Sequence, residues 1–402
     1  MKEAYDFRTA NLLGDGEQQL RLEALRKAMA SAGIPAALIC SNANLFYLTG
    51  RVYRGYLYVA ASSPDVHYLV RRPNHLTGRG VHFIAKPAEI PGVLAEAGVA
   101  FPGEVALELG AITYDDAVRL AKAIGMGAPA GDISPLLRAC RAVKTDKEQA
   151  QLRISGQKQT LVYRRIPHYY REGMSDIEFQ IEIERASRLE GCLGQFRVAG
   201  TEMEIFMGNV LTGENADTPS PYDFAMGGAG LSPSLPAGAD GTLIKPGNTV
   251  MVDVNGNYTG YMTDMTRMFV AGEAPEKAVR ANALSVDICN ELAGMMTPGT
   301  PAADLYRRAL EMARLGGMEE YFMGHRSHAG FVGHGVGIEI NELPVIAPRS
   351  RDILAAGNVI ALEPKFVIPG IGAVGIENTY IVRVGAPGEK ITNAPESIVS
   401  LD

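Results

Sequence analysis

The stretch NTVMVDVNGNYTGYMTDMTRMFV, residues 248–270, decides how this chain folds. It reads as a β-hairpin: TVMVDVN is one strand, the Asn-Gly at 255–256 and the Thr-Gly at 259–260 turn the chain, and MTDMTRMFV returns. Two residues break the apolar pattern. Asp253 sits in the outgoing strand and Asp264 on the returning one. Both are acids where core is expected.

The same oddity recurs twice toward the C-terminus. Glu363 interrupts an apolar strand in NVIALEPKFV, and Glu377 does so in AVGIENTYIV. In GHGVGIEINE, residues 333–342, His334 stands between two glycines and runs into a segment that reads as an alternating strand. The glycines suggest an imidazole that substrate can approach closely. Any one of these residues alone is ordinary, because a lone Asp in a strand is most often a satisfied edge or turn residue. Together they have no cheap structural explanation, since buried carboxylates are costly unless paired or bound to metal. Two divalent cations would cancel the charge of four clustered carboxylates and fix their geometry. Carboxylate oxygens with one imidazole suit manganese, cobalt, iron or zinc.

Outward from these motifs the chain is that of an ordinary globular protein. Its 402 residues are 47% hydrophobic and 21% charged, enough for two domains. The net charge is -7 with no basic block, which argues against nucleic acid and anionic membrane surfaces as partners. Cys40, Cys140, Cys192 and Cys289 lie far apart and form no CxxC pair. The first residues, MKEAYDFRTANLLGDG, lack an apolar core of signal-peptide length, and no apolar run approaches the ~20 residues that span a bilayer. The expectation is a cytoplasmic protein with free thiols.

In RLEALRKAMASAGIPAALICSNANLFYLTG, residues 21–50, Leu22, Leu25, Met29 and Ala30 recur at helical spacing. Gly33-Ile34-Pro35 ends that helix, AALIC reads as a buried strand, and GYLYVAAS from Gly55 reads as another. This is α/β patterning. Near residue 140 the texture changes. Thr145 with Glu148, and Ser175 with Glu178, form capping boxes, the first opening a long helix expected through about Arg171. The domains are therefore placed at 1–140 and 141–402, with the boundary within 136–145. Residues 194–247 are rich in Gly, Pro and Ser, and their aromatics Phe196, Phe206, Tyr222 and Phe224 suggest that part of the segment packs.

VDVNGNYTGYMTDMTR, GHGVGIEINELP, ALEPKFV and GAVGIENTYIV resemble, in order and spacing, the metal-binding motifs of the pita-bread metallopeptidases, the family of methionine aminopeptidase, Xaa-Pro aminopeptidase and prolidase. Residues 21–50 are similar to the N-terminal domain of the creatinase and prolidase branch. The resemblance implies an α/β N-terminal domain followed by an α+β pita-bread catalytic domain, in which curved antiparallel sheet backed by helices holds two divalent metal ions. It further implies that Asp253 chelates one ion, His334 and Glu363 bind the other, and Asp264 and Glu377 bridge both. The nucleophile would then be a metal-bridging hydroxide, with Glu363 as proton shuttle.

The substrate side departs from the pattern of the proline-specific members. Their histidine seven residues beyond the ligand histidine is here Asn341, and the one four residues before it is Gly330. Their Arg two residues before the last glutamate is Gly375, and the Asp after that glutamate is Asn378. Where a substrate-binding histidine is expected upstream, this chain has Leu235 and Pro236. His325, His328, Tyr222, Asp223 and Asn341 are the candidate substrate-binding residues that remain.

Three readings follow. The first is a metallopeptidase that releases an N-terminal residue or splits a dipeptide. The second is a creatinase-branch enzyme that cleaves a C–N or C–S bond of a small non-peptide substrate. The third is a non-catalytic binding module on the same fold. The resemblance also implies a homodimer, with Arg51 or Arg54 of the RVYRGY segment available to a partner's site.

Overall fold

Helix α1 (Asp15–Ser31) buries Leu22, Leu25 and Met29, while Ala30 faces solvent rather than the core. Gly33 ends the helix in the left-handed region at φ 69, and the Ile34 amide donates back to the Met29 carbonyl. The computed structural model describes residues 13–200, 204–222 and 227–402. The leading residues 1–12, Asp223 and Phe224 lie outside that set. The chain divides into two compact units, Met1–Arg141 and Ala142–Asp402.

In the first unit α1 is followed by β1 (Ala36–Ile39), α2 (Asn42–Thr49), β2 (Arg54–Ala60), β3 (Val66–Arg72), β4 (Val81–Phe83), α3 (Ile90–Glu96), β5 (Ala106–Leu107), α4 (Tyr114–Ala123) and α5 (Ser134–Ala142). The strands form one sheet in the order β4-β3-β2-β1-β5. Buried Glu108 closes the loop between β1 and α2, accepting from the amides of Cys40 and Ser41 and from Asn44 Nδ2.

In the second unit, α6 (Asp146–Tyr163) and α7 (Asp176–Leu189) each open on the expected capping box. Helix α6 ends at Tyr163, short of Arg171, because Pro167 tightens the chain into a 3₁₀ turn over Ile166–Tyr169. Strands β6 (Gly208–Thr212), β7 (Thr249–Val254), β8 (Gly256–Asn257), β9 (Met262–Thr263) and β10 (Thr266–Val270) precede α8 (Glu276–Met295) and α9 (Ala302–Leu315). The last strands are β11 (Gly333–Gly335), β12 (Glu342–Ile346), β13 (Val359–Leu362), β14 (Lys365–Ile368), β15 (Gly372–Gly375), β16 (Asn378–Ile381), β17 (Glu389–Lys390) and β18 (Val399–Ser400). They build two main sheets, β18-β10-β7-β6 and β12-β11-β13-β16-β17, with the ladders β14-β15 and β8-β9 beside them.

Strand β7 is buried on both faces. Val250 and Val252 pack with Tyr163, Phe179 and Ile183 of α6 and α7, while Met251 joins the core built by α8 and α9. A strand covered on both sides reads as a continuous apolar run, and Asp253 interrupts it on the Met251 face.

The hairpin differs from expectation at its tip. β7 pairs with β10, but Asn255-Gly256 does not turn the chain. Pairing continues through β8 and β9, and the turn comes at Gly260, where φ is 90 and Asn257 Oδ1 accepts from the Gly260 amide. The segment after His334 is not a continuous strand either. Residues 336–341 bend, because the Glu342 carboxylate turns back to accept the amides of Ile338 and Glu339.

Candidate metal centre

The four unusual acids owe their position to breaks in the strands. Asp253 lies inside β7, but Asp264 sits between β9 and β10, Glu363 between β13 and β14, and Glu377 between β15 and β16. Pro364 cannot continue a ladder, so β13 stops beside Glu363. The Glu363 amide donates instead to the Val332 carbonyl, and the Glu377 amide to Thr266. Ser285 of α8 joins the two breaks: its hydroxyl donates to the Pro364 carbonyl and accepts from the Ile376 amide at 2.9 Å. Thr379 fixes Asp264 by accepting its amide and donating to its carbonyl.

His334 occupies the middle of β11, paired with Val345 on one side and Ala361 on the other. Its glycine neighbours serve this packing. A Cβ at Gly333 would lie 2.5 Å from the Ala361 carbonyl oxygen, and one at Gly335 2.2 Å from that of Leu343. Close strand approach therefore accounts for the glycines. His334 Nδ1 faces the Gly335 carbonyl at 3.1 Å and Nε2 faces Glu363 Oε1 at 3.2 Å.

Asp264, His334 and Glu377 each bring one ligand atom within 4.8 Å of the others. Asp253 and Glu363 join them through Lys365, whose Nζ lies 2.9 Å from Asp253 Oδ2, 2.9 Å from Glu363 Oε2 and 3.4 Å from Glu377 Oε2. All except partly exposed Asp253 are largely enclosed. Burial, then the Asp253 charge, pushes Asp264 up to about 7. Burial and Asp264 raise Glu377 well above the usual carboxylate range. Burial would raise Glu363 too, but Lys365 and His334 outweigh it and draw it down to about 2. His334 is raised, burial being overcome by Glu363. Glu377 Oε2 accepts from Thr266 at 2.8 Å, whereas its buried Oε1 has no hydrogen-bond partner among the described residues. A buried carboxyl with an oxygen to spare, paired with an Asp264 that resists ionising beside it, is part of a donor set that fits a divalent cation.

Three of the substrate candidates share a cavity whose lining does not include the five ligand residues. Tyr222, His325 and His328 line one cavity of about 270 Å³, together with Asp217 and Arg326. His325 Nδ1 is 3.4 Å from Asp217 Oδ1, and His328 Nδ1 faces the Phe322 carbonyl at 3.0 Å. Asn341 is spent on backbone: Oδ1 accepts the Ala199 amide and Nδ2 donates to the Ala199 carbonyl. Asp223 lies outside the described residues.

Sequence reasoning missed Lys365, Ser285 and Arg267. Lys365 carried a usable signal, since a lysine in ALEPKFVI breaks an apolar run as plainly as the acids do. Ser285 and Arg267 carried none.

Fold and site together define a metal-dependent hydrolase scaffold. The chain belongs to metallopeptidase family M24, which it matches over residues 150–383, and residues 21–143 match the creatinase/prolidase N-terminal domain. It is 25% identical to the uncharacterized peptidase YqhT of Bacillus subtilis over 389 residues, 95% of this chain and all of that one. It is 33% identical to the Xaa-Pro dipeptidase of Pyrococcus furiosus over 155 residues, covering 38% of this chain and 43% of that enzyme. Among solved structures, the Xaa-Pro dipeptidase from Bacillus anthracis superposes with a TM-score of 0.77 at 23% identity, over 95% of this chain and 99% of that one. The architecture is thus the pita-bread fold behind a creatinase-type N-terminal domain.

Proposed function

We propose that this chain is a metal-dependent aminopeptidase or dipeptidase acting on small peptides, with residues 1–140 as its creatinase-like domain and 141–402 as its catalytic domain. The observation that carries the reading is the convergence of Asp264, His334 and Glu377, with Asp253 and Glu363 tied to them by Lys365. The relatives named Xaa-Pro dipeptidase and the family match support the same class.

Asp253, Asp264, His334, Glu363 and Glu377 would hold the metal, and by donor count they suffice for two ions. A divalent cation held there would supply polarisation of the scissile carbonyl and a more acidic water. The protein's own groups supply geometry and proton handling. Glu363, whose Oε1 faces His334 Nε2 and whose Oε2 faces Lys365 Nζ, is the carboxylate we assign as proton shuttle. The cavity of Tyr222, His325 and His328 is the place we assign to the substrate's remaining parts. Gly330, Asn341 and Gly375 leave the site without the imidazoles and guanidinium of proline-specific relatives, so we assign it no strict preference for proline.

Manganese as the ion, a homodimer and a cytoplasmic location belong to the same reading. The four free cysteines support the last, because thiols persist in reducing compartments. Light scattering and cell fractionation test the assembly and the location.

The decisive experiment measures release of the N-terminal residue from Xaa-Pro and Xaa-Ala di- and tripeptides after loading with manganese or cobalt, beside Glu363→Ala. Release by the wild type alone is expected. No release from metal-loaded protein would overturn the peptidase reading and favour cleavage of a C–N or C–S bond in a small non-peptide substrate, for which the altered residues at 330, 341 and 375 argue.

A further inference from the structure

We propose that the Lys365 ammonium is a built-in cation of the centre, standing where one of two divalent ions would otherwise sit, so that the chain binds a single ion at Asp264, His334 and Glu377. This rests on the metal-dependent reading above and narrows it.

The donor residues fall into two sets that share Glu377. Lys365 Nζ takes Asp253 Oδ2, Glu363 Oε2 and Glu377 Oε2 at 2.9, 2.9 and 3.4 Å, contacting three of the five ligand residues. The residues with mutually close ligand atoms are Asp264, His334 and Glu377. Asp253 and Glu363, the two missing from that trio, are those on which the ammonium makes its shortest contacts. A cation that already engages these oxygens competes with a metal ion for them, and a second dication placed beside it would meet like charge in a buried setting.

Lys365 is also fixed where it stands. Its side chain is 1% exposed. Its amide and carbonyl are both engaged by Met323, through the Met323 sulfur and the Met323 amide. Met323 itself adopts φ 55, a left-handed conformation that a side chain rarely takes unless its surroundings hold it. Across the β14–β15 ladder Lys365 pairs with Gly375. A Cβ at Gly375 would lie 2.6 Å from the Pro364 oxygen and 3.1 Å from Lys365 Cγ, so the bare glycine leaves room for the lysine stem. Lysine and glycine on facing strands are thus one packing solution, which delivers positive charge to the carboxylates from β14.

The test counts ions in the full chain. Wild-type protein dialysed after loading with excess manganese should hold one ion per chain by plasma mass spectrometry and show an uncoupled six-line Mn(II) resonance. Lys365→Ala and Lys365→Met should hold two, with the broadened signal of an exchange-coupled pair. Two ions in the wild type would overturn the proposal even if neither variant folds, and so would folded variants, checked by circular dichroism, that still hold one. Zero ions would overturn it together with the metal-dependent reading. One ion without peptide release would leave it standing while the peptidase reading fell.

Discussion

Arg267 donates from a fully buried guanidinium to the carbonyl oxygen of Glu377 at 2.7 Å. The same side chain reaches the Thr266 carbonyl, Asn378 Oδ1 and the Ala394 carbonyl, so one planar fork ties the Glu377 backbone to three neighbouring groups. Lysine has fewer donors and no fork. Arg267→Lys should cost about 1–3 kcal/mol of stability by leaving buried acceptors unmet. Because outer partners orient the ligands, it should also weaken divalent-ion binding on the order of 10-fold or more. Denaturant melts and metal titration read the two effects; unchanged metal affinity in a destabilised variant would show that Arg267 only braces the sheet.

Ser285 makes a sharper case because it touches no ligand side chain. Its hydroxyl ties the Pro364 carbonyl and the Ile376 amide, each adjacent in sequence to a ligand glutamate. Ser285→Ala strands both groups in a fully buried place and should cost about 1–3 kcal/mol. Weaker metal binding should accompany the loss, and Ser285→Thr should recover part of it. An alanine variant as stable as wild type would mean that water replaces the hydroxyl.

The motifs were legible because each carried an anomaly that survives without coordinates: acids and a histidine in apolar surroundings at Asp253, Asp264, His334, Glu363 and Glu377. The capping boxes at Thr145 and Ser175 were equally legible, since their signal lies within four residues. What stayed hidden depends on distant pairing. Nothing near Asn341 in sequence reveals that its amide is consumed by Ala199, and nothing near Gly333 reveals the Ala361 carbonyl that excludes a side chain. The hairpin turns at Thr259-Gly260, one of the two expected places, whereas Asn255-Gly256, a strong local turn signal, does not turn. Pairing of Gly256 with Thr263 carried the ladder past it.

Lys144 and Glu342 form an ion pair at 2.9 Å with side chains 0% and 2% exposed. The same carboxylate accepts the amides of Ile338 and Glu339, which holds the bend after His334. Removing one partner from a buried pair leaves an uncompensated charge, so Lys144→Met should cost about 3–5 kcal/mol. Lys144→Met with Glu342→Gln together should cost less than the sum of the single variants, as expected of directly coupled groups. Additive losses in urea melts would contradict a direct pair.

The metal-free protein should lose stability as pH rises from about 4 toward 8. Burial and the Asp253 charge hold folded Asp264 near 7, against about 4 for an unfolded aspartate, so in that window the folded chain binds more protons than the unfolded one and stability falls with pH. Glu377, raised by burial and Asp264, acts in the same direction. So does His334: with a raised folded pKa, its contribution is complete below the unfolded value and lost as pH climbs through the folded one. Glu363, drawn down to about 2, adds stability that is present above its unfolded value and lost only in stronger acid. The decline between about pH 5 and 8 should be on the order of a few kcal/mol, because each proton by which the two states differ contributes about 1.4 kcal/mol for every step of one in pH. Saturating divalent cation should flatten it, because metal-bound carboxylates are deprotonated in the folded state throughout. Urea melts of chelator-treated and metal-loaded protein across this range make the comparison. A flat profile without metal would show that Lys365 alone keeps the acids ionised, and that proton uptake does not stand in for the ion.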